Sequence, residues 1–415
     1  MPPARQREFA LEIAKKLRAA GFESLWAGGC VRDQLLGVTP KDYDVATNAT
    51  PDQIRDLFGR RRTLAIGAAF GVVTVLGPRD AGQIDVATFR SDAAYTDGRH
   101  PDSVQFTTAE HDAERRDFTI NGLFFDPIAE QVVDYVDGQA DLKRGIVRAI
   151  GDPRLRIGED KLRMLRAVRF AATLRFEIDR TTLAAIQEMA CEIKTVSAER
   201  IGMEIRRMLL DANRARALEL LHETNLLHQV LPECTSFPGD PREGWGTIVL
   251  SRLERLHNPT LSLALATLML YVDGADVHAV GRRLRFPNKE IERADWLLKN
   301  LHSVATAPAI PWPTLQRVLI HEGIEELIAL HASTSLVEPD GVKFCRERLA
   351  WPAERLNSPP LVDGGDLIRH GLKPSPEFAT LLEQIRDAQL NGLIQTREQA
   401  LALCDRLRQE RDTLR

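Results

Sequence analysis

The spacing of apolar positions changes character near residue 140 of the chain. The opening run, MPPARQREFALEIAKKLRAAG, has helical spacing and stops at Gly21, which predicts an amphipathic helix. Five short runs then read as strands because they are rich in β-branched and aromatic residues: FESLWAG, KDYDVAT, TLAIG, GVVTVLG and QIDVATF. Between the first two, GGCVRDQLLG reads as a turn leading into a short helix. Thr50-Pro51 reads as an N-cap followed by a proline at the first helical position, opening PDQIRDLFG. Residues 91–102, SDAAYTDGRHPD, are polar and turn-rich, so a surface loop is expected there. A helix is expected over about 108–121, followed by LFFDP and QVVDYV as a short strand pair. Beyond about 142 the strand signals stop. EDKLRMLRAVRFAATLRF, TTLAAIQEMACEIK and SAERIGMEIRRMLLDANRARALELLHETNLL all have helical periodicity, as do most later segments through TREQALALCDRLRQE. Pro- and Gly-rich stretches at 232–244, at 307–313 and near 352–366 are candidate joints. The pattern predicts an α+β protein, with a small mixed β-sheet and helices at the N-terminus and an all-α remainder.

Composition narrows the class. A chain of 415 residues has room for roughly two to four structural units. No apolar run approaches the ~18 residues of a membrane span, and the N-terminus has no signal-peptide core, so no membrane partner is expected. Cys30, Cys191, Cys234, Cys345 and Cys404 are scattered and form no CxxC. That usage fits a reducing cytoplasm and argues against a cysteine-ligated zinc. The net charge of −4 does not by itself suggest a nucleic-acid partner. However, residues 142–216 hold 17 Lys/Arg against 10 Asp/Glu, an excess of seven. Such a stretch is compatible with a phosphate-rich ligand, although a solvated helix face is the more common explanation of charge alone.

The candidate chemistry begins at LWAGGCVRDQLLGVTPKDYDVAT. On a strand, Asp42 and Asp44 would point to one face, and two adjacent carboxylates that stay ionised need a cation. Mg²⁺ takes oxygen ligands and usually keeps waters and substrate phosphates. Asp85, in QIDVATFR, is the candidate third acid from a neighbouring strand, since Ile84 and Val86 would face the other way. Three carboxylates around two metals suit in-line attack on a phosphoryl group; a lone DxD is as readily an exposed strand end. Gly28-Gly29 lets the backbone approach a phosphate at a helix start, with Arg32 one turn in. In RRDFTING, Asp117 and Asn121 are four apart and share a helical face, where with Arg116 they can hold a ribose hydroxyl and a phosphate, or form a surface ion pair. In EDKLRMLRAVRF, Asp160, Arg163 and Arg166 recur at i+3, and Glu159 can fix Arg163 by a salt bridge. An aspartate acceptor beside a guanidinium donor matches the Watson–Crick edge of CTP or ATP and suits UTP or GTP poorly. An amphipathic helix with exposed salt bridges gives the same spacing.

GGCVRD followed by DYD resembles the nucleotidyltransferase superfamily signature. With RRDFTING, EDKLRMLRAVRF and SAERIGMEIRRML following in order, the chain resembles the class II tRNA CCA-adding enzyme and bacterial poly(A) polymerase family. The resemblance implies a nucleotidyltransferase head (1–141), a base-selecting neck (142–215), a helical body (216–335) and a tRNA-binding tail (336–415). It implies metal at Asp42 and Asp44, with Asp85 assisting catalysis. The implied nucleotide site comprises Gly28, Gly29, Arg32, Arg116, Asp117, Asn121, Glu159, Asp160, Arg163, Arg166 and Arg169. It also implies addition of C and A from CTP and ATP to the 3′ end of tRNA, with Mg²⁺ and release of pyrophosphate. Loop 91–102 matches the family's flexible loop, and Asp137, Gly138 and Asp141 its connector. Where some relatives carry an HD metal pair, Leu270-Tyr271 and Val272-Asp273 stand instead, so a body of that kind would be degenerate. Alternatives left open are a poly(A) polymerase, although GRRRTLAIG, with its three arginines, otherwise looks closer to the CCA-adding pattern, a divided CC- or A-adding enzyme, and an inactive RNA-binding module. The oligomeric state is not legible.

Overall fold

Seven strands of the N-terminal third form one sheet, in the order β3-β4-β5-β2-β1-β8-β9. In chain order the elements are α1 (Pro3–Ala19), β1 (Ser24–Ala27), α2 (Gly29–Leu35), β2 (Asp44–Thr47), α3 (Pro51–Phe58), β3 (Thr63–Leu64), β4 (Val72–Leu76) and β5 (Gln83–Thr88). Then come β6 (Arg90–Asp92), β7 (Val104–Phe106), α4 (Ala109–Glu114), β8 (Phe124–Asp126) and β9 (Gln131–Val133). This computed structural model describes residues 3–92, 104–235, 245–270, 272, 274, 276–374 and 377–414. Within the sheet, β2 and β5 pair in parallel and every other neighbouring pair is antiparallel, so the sheet is mixed as expected.

One face of the sheet is apolar because the strands alternate. Ile84, Val86, Val73, Val75 and Val45 are buried, whereas Gln83, Asp85 and Asp44 are exposed. Helix α1 packs on β1, β2 and β5 with Phe9, Ala10, Ile13, Ala14 and Leu17 fully or nearly fully buried. Trp26 lies edge-on to Tyr43 at 4.9 Å and near Phe125 at 5.7 Å. The N-cap reading of Thr50-Pro51 holds: the Thr50 side chain accepts from the Gln53 backbone and the Gln53 side chain accepts in return, forming a capping box.

From residue 138 the chain continues with α5 (Gly138–Arg144), β10 (Ile146–Val147), α6 (Pro153–Glu159), α7 (Arg163–Leu174), β11 (Glu177–Ile178), α8 (Arg180–Met189) and α9 (Ala198–Leu210). Residues 1–250, with 272–275 and 282–286, form one compact unit, and the remaining residues a second. The second unit is helical, and the last part of the chain has its own core of Val362, Leu367, Leu372, Leu381, Ile385, Ile394, Ala400 and Cys404.

Four expectations are corrected. The strand at KDYDVAT starts only at Asp44, so Asp42 lies in the irregular segment before it. The helix over 108–121 stops at Glu114, because the next backbone pairs elsewhere: Phe118 bridges Ala149, Thr119 N donates to Arg148 O at 3.0 Å, and Ile150 N donates to Asp117 O at 3.2 Å. EDKLRMLRAVRF is not one helix. Asp160 is extended (φ −145°) between α6 and α7, and its carboxylate accepts from Leu162 N at 3.1 Å, a local bond that competes with helix continuation. Strand pairing also does not end at 142, since β10 and β11 form a short parallel ladder. Of the expected 91–102 loop, Ser91 and Asp92 belong to β6, and the remainder lies outside the described residues, as do Tyr271 and Asp273 of the HD comparison.

Candidate active site

The sheet sets the carboxylates. Asp44, the first residue of β2, stands opposite Asp85 of β5 in a parallel register, and Asp85 stands opposite Thr74 of β4. Thr74 Oγ1 donates to Asp85 Oδ1 at 2.6 Å, which commits one oxygen of that acid. Asp44 reaches solvent in the cleft, yet the surrounding protein and then the charge of Asp85 raise its pKa to about 6, with Arg116 opposing and Asp42 adding a smaller upward push. Asp42 and Asp44 line a cleft of about 720 Å³; Asp85 is not among its lining residues. Among the described residues no group of three or more His, Cys, Asp or Glu side chains is arranged to hold a metal. Two crowded carboxylates that, among the described residues, form no ion pair with an arginine still fit a hard cation, and their donors are all oxygen.

Arginines outnumber acids in the lining of the cleft. Arg32, Arg90, Arg115, Arg116, Arg163, Arg166, Arg169 and Arg207 line it, against Asp42, Asp44, Asp117 and Asp160. Gly28 connects β1 to α2 at φ +71°, and a Cβ there would lie 3.0 Å from Arg116 Nη1. This left-handed position favours glycine and leaves room for the guanidinium. Gly29 also lines the cleft. Arg32 donates to Asp33 Oδ1 at 2.9 and 2.6 Å and to Asn121 Oδ1 at 2.7 Å. Asn121 Nδ2 donates to Asp117 Oδ1 at 3.1 Å, and Arg166 donates to Asp117 Oδ2 through Nε at 2.8 Å and Nη2 at 2.6 Å. One relay of polar contacts therefore runs from α2 to α7. Asp117 is itself buried, yet Arg166 and the hydrogen bond from Asn121 outweigh that burial and hold its pKa down at about 2.

The base-reading candidates Asp160 and Arg163 line the same cleft. Arg163 is buried and donates to Glu159 Oε2 at 2.6 Å, to Arg156 O at 2.7 Å and to Arg115 O at 3.3 Å. The expected Glu159–Arg163 pair is present, with Glu159 outside the cleft lining. Asp160 lines the cleft and receives Arg200 from α9. Arg169 donates to Glu204 at 2.5 Å and its guanidinium lies 4.1 Å from the centre of the Phe170 ring.

Residues 25–148 match the poly A polymerase head domain, and residues 175–237 match the domain described as "Probable RNA and SrmB- binding site of polymerase A". The CCA-adding enzyme of Limosilactobacillus fermentum is 33% identical over 94% of this chain and 95% of its own. The chain belongs to the family of CCA-adding enzymes and poly(A) polymerases. It has the fold of that nucleotidyltransferase family throughout. The crystal structure of the Bacillus stearothermophilus CCA-adding enzyme in complex with CTP superposes with a TM-score of 0.78 at 28% identity, covering all of both chains. The Thermotoga maritima CCA-adding enzyme complexed with tRNA_CCA, 19% identical over 96% of this chain and 94% of that one, shares the fold with a TM-score of 0.65. Members of this nucleotidyltransferase family generally use divalent metal ions.

Four residues that shape the family's cleft here escaped sequence reasoning. Asp112, 2% exposed, accepts from Arg115 at 2.7 Å and Arg116 at 2.9 Å. Its i+3 and i+4 spacing to both arginines was a usable signal. Glu204, also buried, holds Arg169 and Arg207. Phe170 offers its ring to Arg32, Arg166 and Arg169 at 5.1, 5.3 and 4.1 Å. In the sequence it reads only as an apolar core position. Arg200, forty residues from Asp160, had no local signal.

Proposed function

We propose that this cleft adds C and A to the 3′ end of tRNA without a nucleic-acid template. The observation that carries the reading is one cleft lined at once by Asp42 and Asp44, by Asp160 and Arg163, and by seven further arginines. A nucleoside triphosphate has a matching order of parts: a reacting α-phosphate, a polyanionic tail and a base edge. Gly28, Gly29, Arg32 and Arg116 would hold the phosphates, while Asp117 and Asn121 orient Arg32 and Arg166 around the sugar. Asp160 accepts from the exocyclic amine of cytosine or adenine, and Arg163 donates to the ring acceptor beside it. The RNA 3′-hydroxyl attacks the α-phosphate of CTP or ATP, a new phosphodiester bond forms, and pyrophosphate leaves. Asp42 and Asp44 would hold the divalent ion, with Mg²⁺ favoured by the all-oxygen donor set. When bound it supplies charge at the α-phosphate and lowers the pKa of the attacking hydroxyl. Asp85 faces the same side as Asp44 and strengthens the local negative potential that attracts the cation. The helical body and tail would bind the acceptor arm through phosphates and shape, since all tRNAs must be accepted. All five cysteines are unpaired, as a reducing cytoplasm leaves them.

The test is incorporation into three tRNA transcripts, one lacking CCA, one ending in C and one ending in CC, with labelled CTP or ATP and Mg²⁺. Addition that stops at CCA is expected. A stop at CC, or A added only to the CC substrate, would mean a divided enzyme. Long A tails would point to poly(A) synthesis, and no incorporation would refute the enzymatic reading.

A further inference from the structure

We propose that Arg200 is a specificity-determining positioning residue, which sets the single hydrogen-bond acceptor that Asp160 shows to the incoming base. The inference rests on the base-reading role given above to Asp160 and Arg163. A carboxylate offers about four lone-pair sites. On Asp160 Oδ1 two are filled, by the Leu162 backbone N–H at 3.1 Å and by Arg200 Nη1 at 3.1 Å. On Oδ2 one is filled, by Arg200 Nη2 at 2.7 Å. The remaining site is on Oδ2, on a residue that lines the cleft. Arg200 comes from α9 and is not among the lining residues, so it acts through Asp160 and not on the nucleotide.

The consequence is a one-acceptor reader. Cytosine N4 and adenine N6 carry N–H groups and can donate to the open site. Uracil O4 and guanine O6 would set an acceptor against an acceptor. The two-pronged guanidinium also stops the carboxylate from rotating, so its open lone pair keeps a fixed direction relative to Arg163. Arg163 is locked on its own side by Glu159 and by two backbone carbonyls. Without Arg200, three acceptor sites are exposed and the carboxylate can turn. A water can then donate one hydrogen to Asp160 and the other to a base carbonyl, which admits UTP.

The helix supplying Arg200 is built for such support. Arg200, Glu204 and Arg207 recur at i, i+4 and i+7 on one face of α9. Glu204 accepts from Arg169 at 2.5 Å and from Arg207 at 3.0 Å. One helix thus orders both an acceptor and two donors of the cleft.

The test measures single-nucleotide incorporation by the wild type, Arg200→Ala, Arg200→Lys, Asp160→Ala and the double variant Asp160→Ala/Arg200→Ala. A transcript lacking CCA is offered CTP or UTP, and one ending in CC is offered ATP or GTP. Arg200→Ala is expected to raise KM for CTP about tenfold while kcat stays within about threefold, as lost ground-state and transition-state binding requires. Its preference for CTP over UTP, as a ratio of kcat/KM, should fall by about tenfold or more. Arg200→Lys should recover part of the preference, because it keeps the charge and loses the fork. The double variant should select no worse than Asp160→Ala alone. An equal loss for all four nucleotides, or an unchanged CTP-over-UTP ratio in Arg200→Ala, would overturn the proposal. If Asp160→Ala relaxes base choice while Arg200→Ala does not, Arg200 alone is wrongly assigned. If Asp160→Ala leaves base choice intact, the base-reading role and the Arg200 proposal fall together. Should Arg200→Ala not fold by circular dichroism, Arg200→Lys and Arg200→Gln carry the same comparison.

Discussion

Replacing Asp117 by asparagine tests whether the link between α7 and the sheet region is electrostatic. Asp117 is 8% exposed and bonded to Arg166 at 2.8 and 2.6 Å, while Arg166 keeps 32% of its side chain open. The pKa of Asp117 falls from an ordinary ~3.9 to about 2, because Arg166 and Asn121 outweigh its burial, which corresponds to roughly 2–3 kcal/mol. Breaking a fully buried pair costs about 3–5 kcal/mol, and partial access of water to the orphaned guanidinium places this case at or below the lower end. Both routes give about 2–3 kcal/mol. The sign follows from a depressed carboxylate: the stabilisation is full above the unfolded pKa and is lost as pH falls through about 2. Urea unfolding, followed by a probe in residues 1–250, should show Asp117→Asn destabilised by about 2–3 kcal/mol at pH 7, with the gap from wild type closing between pH 4 and pH 2. A double-mutant cycle with Arg166→Met should return most of that energy as coupling. A loss below about 1 kcal/mol at pH 7, or a gap that does not close in acid, would refute the reasoning.

Other variants test separate parts of the cleft. Asp42→Ala and Asp44→Asn should each abolish nucleotide incorporation while tRNA binding, measured by filter retention, survives; retained turnover would remove the metal assignment. Arg163→Ala should relax base choice more than it changes metal dependence, read from incorporation of all four triphosphates across a Mg²⁺ titration. Gly28→Ala should weaken CTP binding, measured calorimetrically, because the added methyl lies 3.0 Å from Arg116 Nη1 in a left-handed backbone position. Gly202→Ala should destabilise the protein by roughly 1–3 kcal/mol or more in urea unfolding, since its Cβ would sit 1.9 Å from the Leu284 carbonyl oxygen.

What could be read from the chain divides along a physical line. Strands that alternate over several residues were legible, because one buried face forces the period: Ile84 and Val86 inward, Asp85 outward. The N-cap at Thr50 was legible because a cap is local. The helix at 108–121 was misread because residues 117–119 trade helical bonds for backbone pairing with 148–150, a contact that local propensity does not register. EDKLRMLRAVRF hid its break for a related reason. Its i+3 spacing survives the interruption at Asp160, and only the side-chain bond to Leu162 N ends the helix. The candidate site was legible where its residues cluster in sequence, as in GGCVRD, DYD and EDKLR. It was opaque where partners come from afar, as with Arg200 and Glu204.

Those distant partners also supply an argument for the cation. In the cleft Asp117 holds Arg166, and Asp160 is held by Arg200; behind the lining, Asp112 holds Arg115 and Arg116, and Glu204 holds Arg169 and Arg207. Among the described residues no salt bridge reaches Asp42 or Asp44, although eight arginines line the same cleft. A protein able to place guanidiniums on four nearby carboxylates sets no ion pair on these two, and burial first, then the charges of Asp85 and Asp42, raises the Asp44 pKa against the opposing charge of Arg116. That arrangement costs stability unless something outside the chain neutralises it. A divalent ion arriving with a triphosphate would do so without filling the cleft beforehand, and would leave the arginines free to hold the polyanion. The expected corollary is that Asp44→Asn raises the melting temperature of the ion-free protein while abolishing turnover. A variant that loses both stability and turnover would show that these carboxylates serve the fold.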